Sequence, residues 1–167
     1  MDLILGNICS LFAMATDGLS TSRRTARGML LIQCLSQLFY GASAIILKGY
    51  SSAVQNAVSI ARNLLASSRR QSRAVEWLLA ILAVVLGVAF NNLGLRGLLP
   101  VVANLEYTLA VFCFKDDERR LKVAFLINDV MYAVFNGIIL NFVGVAANIV
   151  VGVMTVSFLI KDKKKNA

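Results

Sequence analysis

The chain has 167 residues, 58% of them hydrophobic, a net charge of +8 and a mean hydropathy of +0.73. Soluble domains run near half apolar, so this excess argues against a water-facing surface and leaves no room for a separate soluble domain. The basic residues fall in short clusters between apolar segments, a pattern that sets membrane orientation and does not build a nucleic-acid groove.

Histidine is absent, which removes imidazole bases and most zinc sites. Cys9, Cys34 and Cys113 sit inside apolar segments without paired spacing and read as small hydrophobic fillers.

In chain order, apolar segments are expected at 3–19, 28–47, 51–67, 75–90, 97–114, 121–140 and 142–160. The N-terminus lacks the positive region of a signal peptide, so the first segment is expected to be retained. Asp17, near its inner end, reads as a helix-end or turn residue. The second segment carries Gln33 and Gln37. The third is the most polar: Ser52, Asn56, Ser59 and Asn63 recur on one helical face, beside Arg62. The fourth opens near Trp77, and the fifth contains Pro100, Asn104 and Glu106. The stretch from Lys115 to Arg120 reads as a solvated turn. Asn128 and Asp129 then lie in the sixth segment, and Gly144, Asn148 and Gly152 share a face of the seventh.

Charge parity favours seven spans. Arg23, Arg24 and Arg27, then Arg69, Arg70 and Arg73, then Lys115, Arg119, Arg120 and Lys122, and finally Lys161, Lys163, Lys164 and Lys165 all fall on one side if every segment crosses. The other side receives Lys48 and Arg96. Short loops rich in Lys and Arg stay cytoplasmic, so the N-terminus is expected outside and the C-terminus inside. The basic loops and tail would meet the anionic inner leaflet.

A shift of 92 residues places Tyr40 on Tyr132, Ile46 on Ile138, Ser52 on Gly144, Asn56 on Asn148, Arg27 on Arg119 and Gln37 on Asp129. The expected fold is therefore all-α and polytopic: a three-helix repeat at 1–67, a linker helix at 75–92, a second repeat at 97–160 and a basic tail at 161–167. An odd linker makes the two three-helix bundles parallel.

A 3+1+3 arrangement with matched asparagines in the third and seventh helices resembles the SWEET / MtN3 / PQ-loop superfamily of small-solute transporters. Over its whole length the chain is most similar to the YgjV-type bacterial inner membrane proteins. The likeness rests on Leu5-Gly6-Asn7, the Arg23-Arg24 turn, Leu38-Phe39-Tyr40-Gly41, Val54-Gln55-Asn56, Met131-Tyr132 and Ala147-Asn148. The resemblance implies substrate contacts at Asn56 and Asn148, in a pocket between the halves. The chain departs from the sugar transporters in having Pro100 as its one proline and Trp77 outside any pocket helix. These departures bear against a proline gate and against assuming a sugar; the expected solute is a small polar one, sugar-like or a vitamin- or nucleoside-type metabolite.

Polar groups in hydrocarbon pair with one another or line a water-filled path. At ~1.5 Å per residue, Arg62, Glu106 and Asp129 each lie about 14 to 16 Å from a membrane edge. Arg62 is expected to pair with Glu106 or Asp129, either as a structural tie or as part of a solute or proton site.

The substrate-binding candidates are Asn56, Asn148, Arg62, Glu106, Asp129 and Gln37. No catalytic constellation, metal spacing or cofactor motif is present, so an enzyme is not expected. The sequence points to a transporter of a small polar solute by alternating access. The alternative is a receptor, scaffold or assembly partner with a structural polar cluster, and a homo-oligomer is compatible with either.

Overall fold

The computed structural model describes residues 2–68, 72–114, 116–139 and 141–165, the side chains of 162–165 excepted. Arg69, Arg70 and Lys115, and the side chains of Lys163, Lys164 and Lys165, on which part of the charge argument rests, lie outside the described residues.

The described residues form seven long helices and one short turn: α1 (Asp2–Thr21), α2 (Ala26–Ile46), α3 (Tyr50–Ser67), α4 (Arg73–Ala89), the 3-10 turn Gly94–Leu98, α5 (Leu99–Cys113), α6 (Glu118–Ile138) and α7 (Phe142–Lys165). Local chemistry sets the boundaries. Thr25 caps α2 by accepting from the Gly28 amide, and Asp117 caps α6 by accepting from the Arg120 amide. Pro100 stands in the first turn of α5, where its missing N–H costs nothing. Lys48 (φ 59°) turns the chain between α2 and α3. Asn141 stands just before α7, its side-chain Oδ1 accepting from the Gly144 amide.

The 92-residue shift reappears in these boundaries. The turn plus α5 covers Gly94–Cys113, starting and ending 92 residues after α1. The same offset relates α6 to α2 at both ends, α7 to α3 at its start, and the cap Asp117 to the cap Thr25.

Packing follows a ring. Consecutive helices α1, α2 and α3 are neighbours, as are α5, α6 and α7; α3 then meets α5, and α7 meets α1. Helix α4 lies outside, against α3 and α5. Two contacts seat it there. Gln55 of α3 donates from Nε2 to the Ala83 carbonyl (2.7 Å), and Gly87 of α4 lies so close to Gln55 and Val101 that a Cβ would collide with both.

The outer faces of the helices are apolar: Leu31, Leu38, Ile81, Val130 and Ile149 are among many large hydrophobics left exposed. In water such a surface would aggregate; in lipid it is solvated. Among the described residues five stretches are long and apolar enough to cross a membrane: Asp2–Thr21, Ala26–Ile46, Gly94–Cys113, Glu118–Ile138 and Phe142–Lys161. Of the seven spans expected, α3 falls short through its polarity and α4 through its length of 17 residues. The polarity of α3 is turned inward, since Ser52, Gln55, Asn56, Ser59, Arg62 and Asn63 are all buried.

Candidate functional site

Two polar regions occupy the interior, and they differ in kind. The first is a network about Arg62, which is 1% exposed. Its Nε donates to Asn63 Oδ1 (2.9 Å), and its Nη1 donates to Asn104 Oδ1 (2.7 Å) and Thr108 Oγ1 (3.0 Å). The guanidinium lies 4.6 Å from the centre of the Tyr107 ring. Asn104 in turn accepts from Ser59 (2.7 Å) and donates to Gln55 Oε1 (2.6 Å), while Tyr107 donates to Gln33 (3.0 Å). With Gln55 bound to Ala83, these bonds tie α2, α3, α4 and α5 together.

This corrects the ion pair expected from the sequence. The salt bridges among the described residues are Asp117–Arg120 and Glu118–Lys122, both in the first turns of α6. Among the described residues no carboxylate forms a salt bridge with Arg62, although Glu106 is close enough to attract it electrostatically. Instead, amide and hydroxyl oxygens and an aromatic face surround it, an arrangement that can hold a buried cation when its donors are bonded. Glu106, on α5, is half-buried with no hydrogen-bond partner for Oε2 among the described residues, and it lies outside the pocket described next.

The second region is a pocket of about 50 Å³ within the ring. Its lining repeats the internal shift: Gln37 with Asp129, Tyr40 with Tyr132, Ala44 with Asn136, Leu47 with Ile139, Gly49 with Asn141, and Asn56 with Asn148. Each pair is 92 residues apart, so α2 and α6, and the starts of α3 and α7, present equivalent surfaces to one space. The pocket reaches the α2–α3 and α6–α7 connections through Leu47, Gly49, Ile139 and Asn141. Toward the opposite end of these helices an apolar cluster including Met29, Leu30, Tyr107, Leu121, Phe125 and Val151 fills the ring. The pocket is a blind well with an apolar floor.

The two sides of the well are chemically unlike. On the α6–α7 side a chain of amides descends inward. Asn141 donates to Asn136 (3.3 Å), Asn136 to Asn148 Oδ1 (3.1 Å), and Asn148 to Asp129 Oδ1 (2.6 Å) and the Asp129 carbonyl (3.1 Å). On the other side, Asn56 donates to the Ser52 carbonyl (2.9 Å), and its own amide oxygen has no partner among the described residues. Asp17 also lines the pocket, from α1, and is 3% exposed. It stands near the end of α1, as the sequence suggested, and its side chain faces the pocket. It lies beside Ser36 and Tyr40, yet its Oδ1 has no hydrogen-bond partner among the described residues.

Of the six residues singled out in the sequence, the structure brings Asn56, Asn148, Asp129 and Gln37 to one pocket and leaves Arg62 and Glu106 elsewhere. Sequence reasoning missed Asp17, Asn136 and Asn141 as lining residues. A carboxylate inside an otherwise apolar segment was the available signal for Asp17. Asn136 and Asn141 match Ala44 and Gly49, so the repeat itself gave no amide pair to notice.

Comparison with protein families decides the affiliation. A family model described as a bacterial inner membrane protein, Imp-YgjV, matches residues 4–166. The chain belongs to this family. Comparison with the curated proteins and with the solved structures returned no match. Membership agrees with the lipid-compatible exterior of the helices and makes the chain a multi-pass protein of the bacterial inner membrane.

Proposed function

We propose that this Imp-YgjV protein is a transporter that carries a small polar solute by alternating access around the well between its halves. The observation that carries the reading is the lining by residue pairs 92 apart, on a space closed at one end by apolar side chains. Matched surfaces from two similar bundles are what a rocking motion about a fixed central site requires. In this reading α1–α3 and α5–α7 are parallel repeats joined by α4, and all seven helices span the membrane. The N-terminus is periplasmic and the C-terminus cytoplasmic, as the loop charges favour. The likeness to SWEET and PQ-loop transporters supports the same arrangement.

Asn56, Asn148, Asp129 and Gln37 would contact the solute, with Asp17 at the inner part of the well. Arg62 serves as a structural tie between helices. A scaffold or receptor is the second reading. The bonded chain from Asn141 to Asp129 favours it, since that side is satisfied without a ligand.

Uptake into proteoliposomes and ligand-induced thermal shifts, measured across a metabolite panel, separate the two. Transport predicts that at least one compound accumulates and stabilises the protein, and that Asn56→Ala weakens both responses. If nothing in the panel acts and Asn56→Ala and Asn148→Ala behave as wild type, the transporter reading is lost.

A further inference from the structure

The pocket's charge balance narrows the solute beyond "small and polar". Two carboxylates, Asp17 and Asp129, line it, and none of its lining residues is basic. Of the buried cations, Arg62 is bonded to neutral oxygens and Lys122 pairs with Glu118, and neither belongs to the lining. The carboxylates therefore receive no counter-charge from within the well.

Asp17 is 3% exposed, and its Oδ1 makes no hydrogen bond among the described residues; the Ser36 and Tyr40 hydroxyls beside the carboxylate are the donors within the protein. A buried acceptor left open is unfavourable, so a donor arriving with a ligand would be favoured there. Asp129 receives one amide donor, from Asn148.

Aromatic rings complete the surroundings: Tyr40, Tyr132, Phe125 and Phe135 line the same space. Carboxylates together with aromatic faces are the elements that recognise an ammonium group, the faces through their quadrupole. A transition-metal ion fits less well, since no group of three His, Cys, Asp or Glu side chains occurs among the described residues. The cavity of about 50 Å³ holds roughly three to five waters, which sets the scale of the charged group it can take.

We propose that the well accepts a small organic cation, its ammonium group held between Asp17 and Asp129 against the rings of Tyr40 and Tyr132. The inference rests on the well being a solute site and adds the charge of that solute.

A size-matched charge series tests it on the wild-type protein: ethanolamine as the cation, ethylene glycol as the neutral compound and glycolate as the anion, with choline and putrescine as further cations. At least one cation is expected to raise the melting temperature and to be taken up saturably, while ethylene glycol and glycolate do neither. Asp17→Asn and Asp129→Asn should each weaken cation binding about tenfold or more, and Glu106→Gln, outside the well, should leave it unchanged.

Glycolate or ethylene glycol binding as well as the cations would overturn the proposal, as would cation binding indifferent to both Asp variants. If the cations fail but a neutral or anionic member of a broader metabolite panel acts, the charge inference falls and the transporter reading stands. If nothing acts, both fall. The wild-type series decides the outcome even where an amide variant does not fold.

Discussion

Asn56 and Asn148 occupy matched positions in the sequence but hold different bonds. Asn148 accepts from Asn136 and donates twice to Asp129, whereas Asn56 donates once to the backbone of its own helix. Asn148→Ala leaves buried partners open and should destabilise the protein by about 1–3 kcal/mol. Asn56→Ala should leave the melting temperature nearly unchanged and weaken solute affinity by about tenfold, or ~1.4 kcal/mol. Thermal unfolding and binding measured on the same preparations check both statements, and equal loss of stability in the two variants would contradict them.

Arg62 gives the reverse pattern. Arg62→Ala removes three hydrogen bonds and a side chain packed on Tyr107, so stability should fall by roughly 2–5 kcal/mol. Solute affinity per folded molecule should not change. A folded Arg62→Ala protein that no longer binds would place the guanidinium in the site after all. The sequence marked Arg62 as deep and polar, which it is. It could not indicate the partners, because a buried guanidinium is satisfied as well by Asn, Thr and Tyr as by a carboxylate, and spacing along one chain does not say which helices meet.

Among the elements, α3 and α4 test how far hydropathy reads a membrane protein. The internal shift recovered the paired helices closely: α6 begins and ends where α2 predicts, and the cap Asp117 stands where Thr25 predicts. Average hydropathy leaves α3 below the level of a span because of polar residues that are buried in the structure, on a helix packed against α2, α4 and α5. The pairing of α3 with α5 and of α1 with α7 was not legible, since both join segments that are not consecutive in the chain.

The seat of α4 depends on Gly87. Gly87→Leu should force α4 away from Gln55 and Val101, break the Gln55–Ala83 bond and lower the melting temperature, whereas Ala80→Leu would test general crowding of the same buried face. Equal tolerance of Gly87→Leu and wild type would show that α4 is not held there. Gly144 has a comparable constraint near the well's mouth. A Cβ would approach Asn136 and Asn141 within 2.6–2.8 Å, so Gly144→Val should disrupt the amide chain and reduce binding.

At the scale of the whole molecule, topology is the first matter to test. With Cys9, Cys34 and Cys113 replaced by Ser, single cysteines at the exposed positions Ser22 and Ser72 should react with an impermeant thiol reagent from the cytoplasmic side. Cysteines at Lys48 and Asn92, also exposed, should react from the periplasmic side. Ser72 and Lys48 reacting from the same side would remove α3 as a span and end the parallel-repeat interpretation.

The blind shape of the well has an electrical consequence. In the proposed transporter, a charged solute leaving the well must pass the apolar layer of Met29, Leu30, Leu121, Phe125 and their neighbours, where it crosses part of the membrane potential. Charge carried through that layer does work of about 2.3 kcal/mol per elementary charge per 100 mV. On the transporter reading proposed above, the membrane voltage would thus bear on passage through this layer.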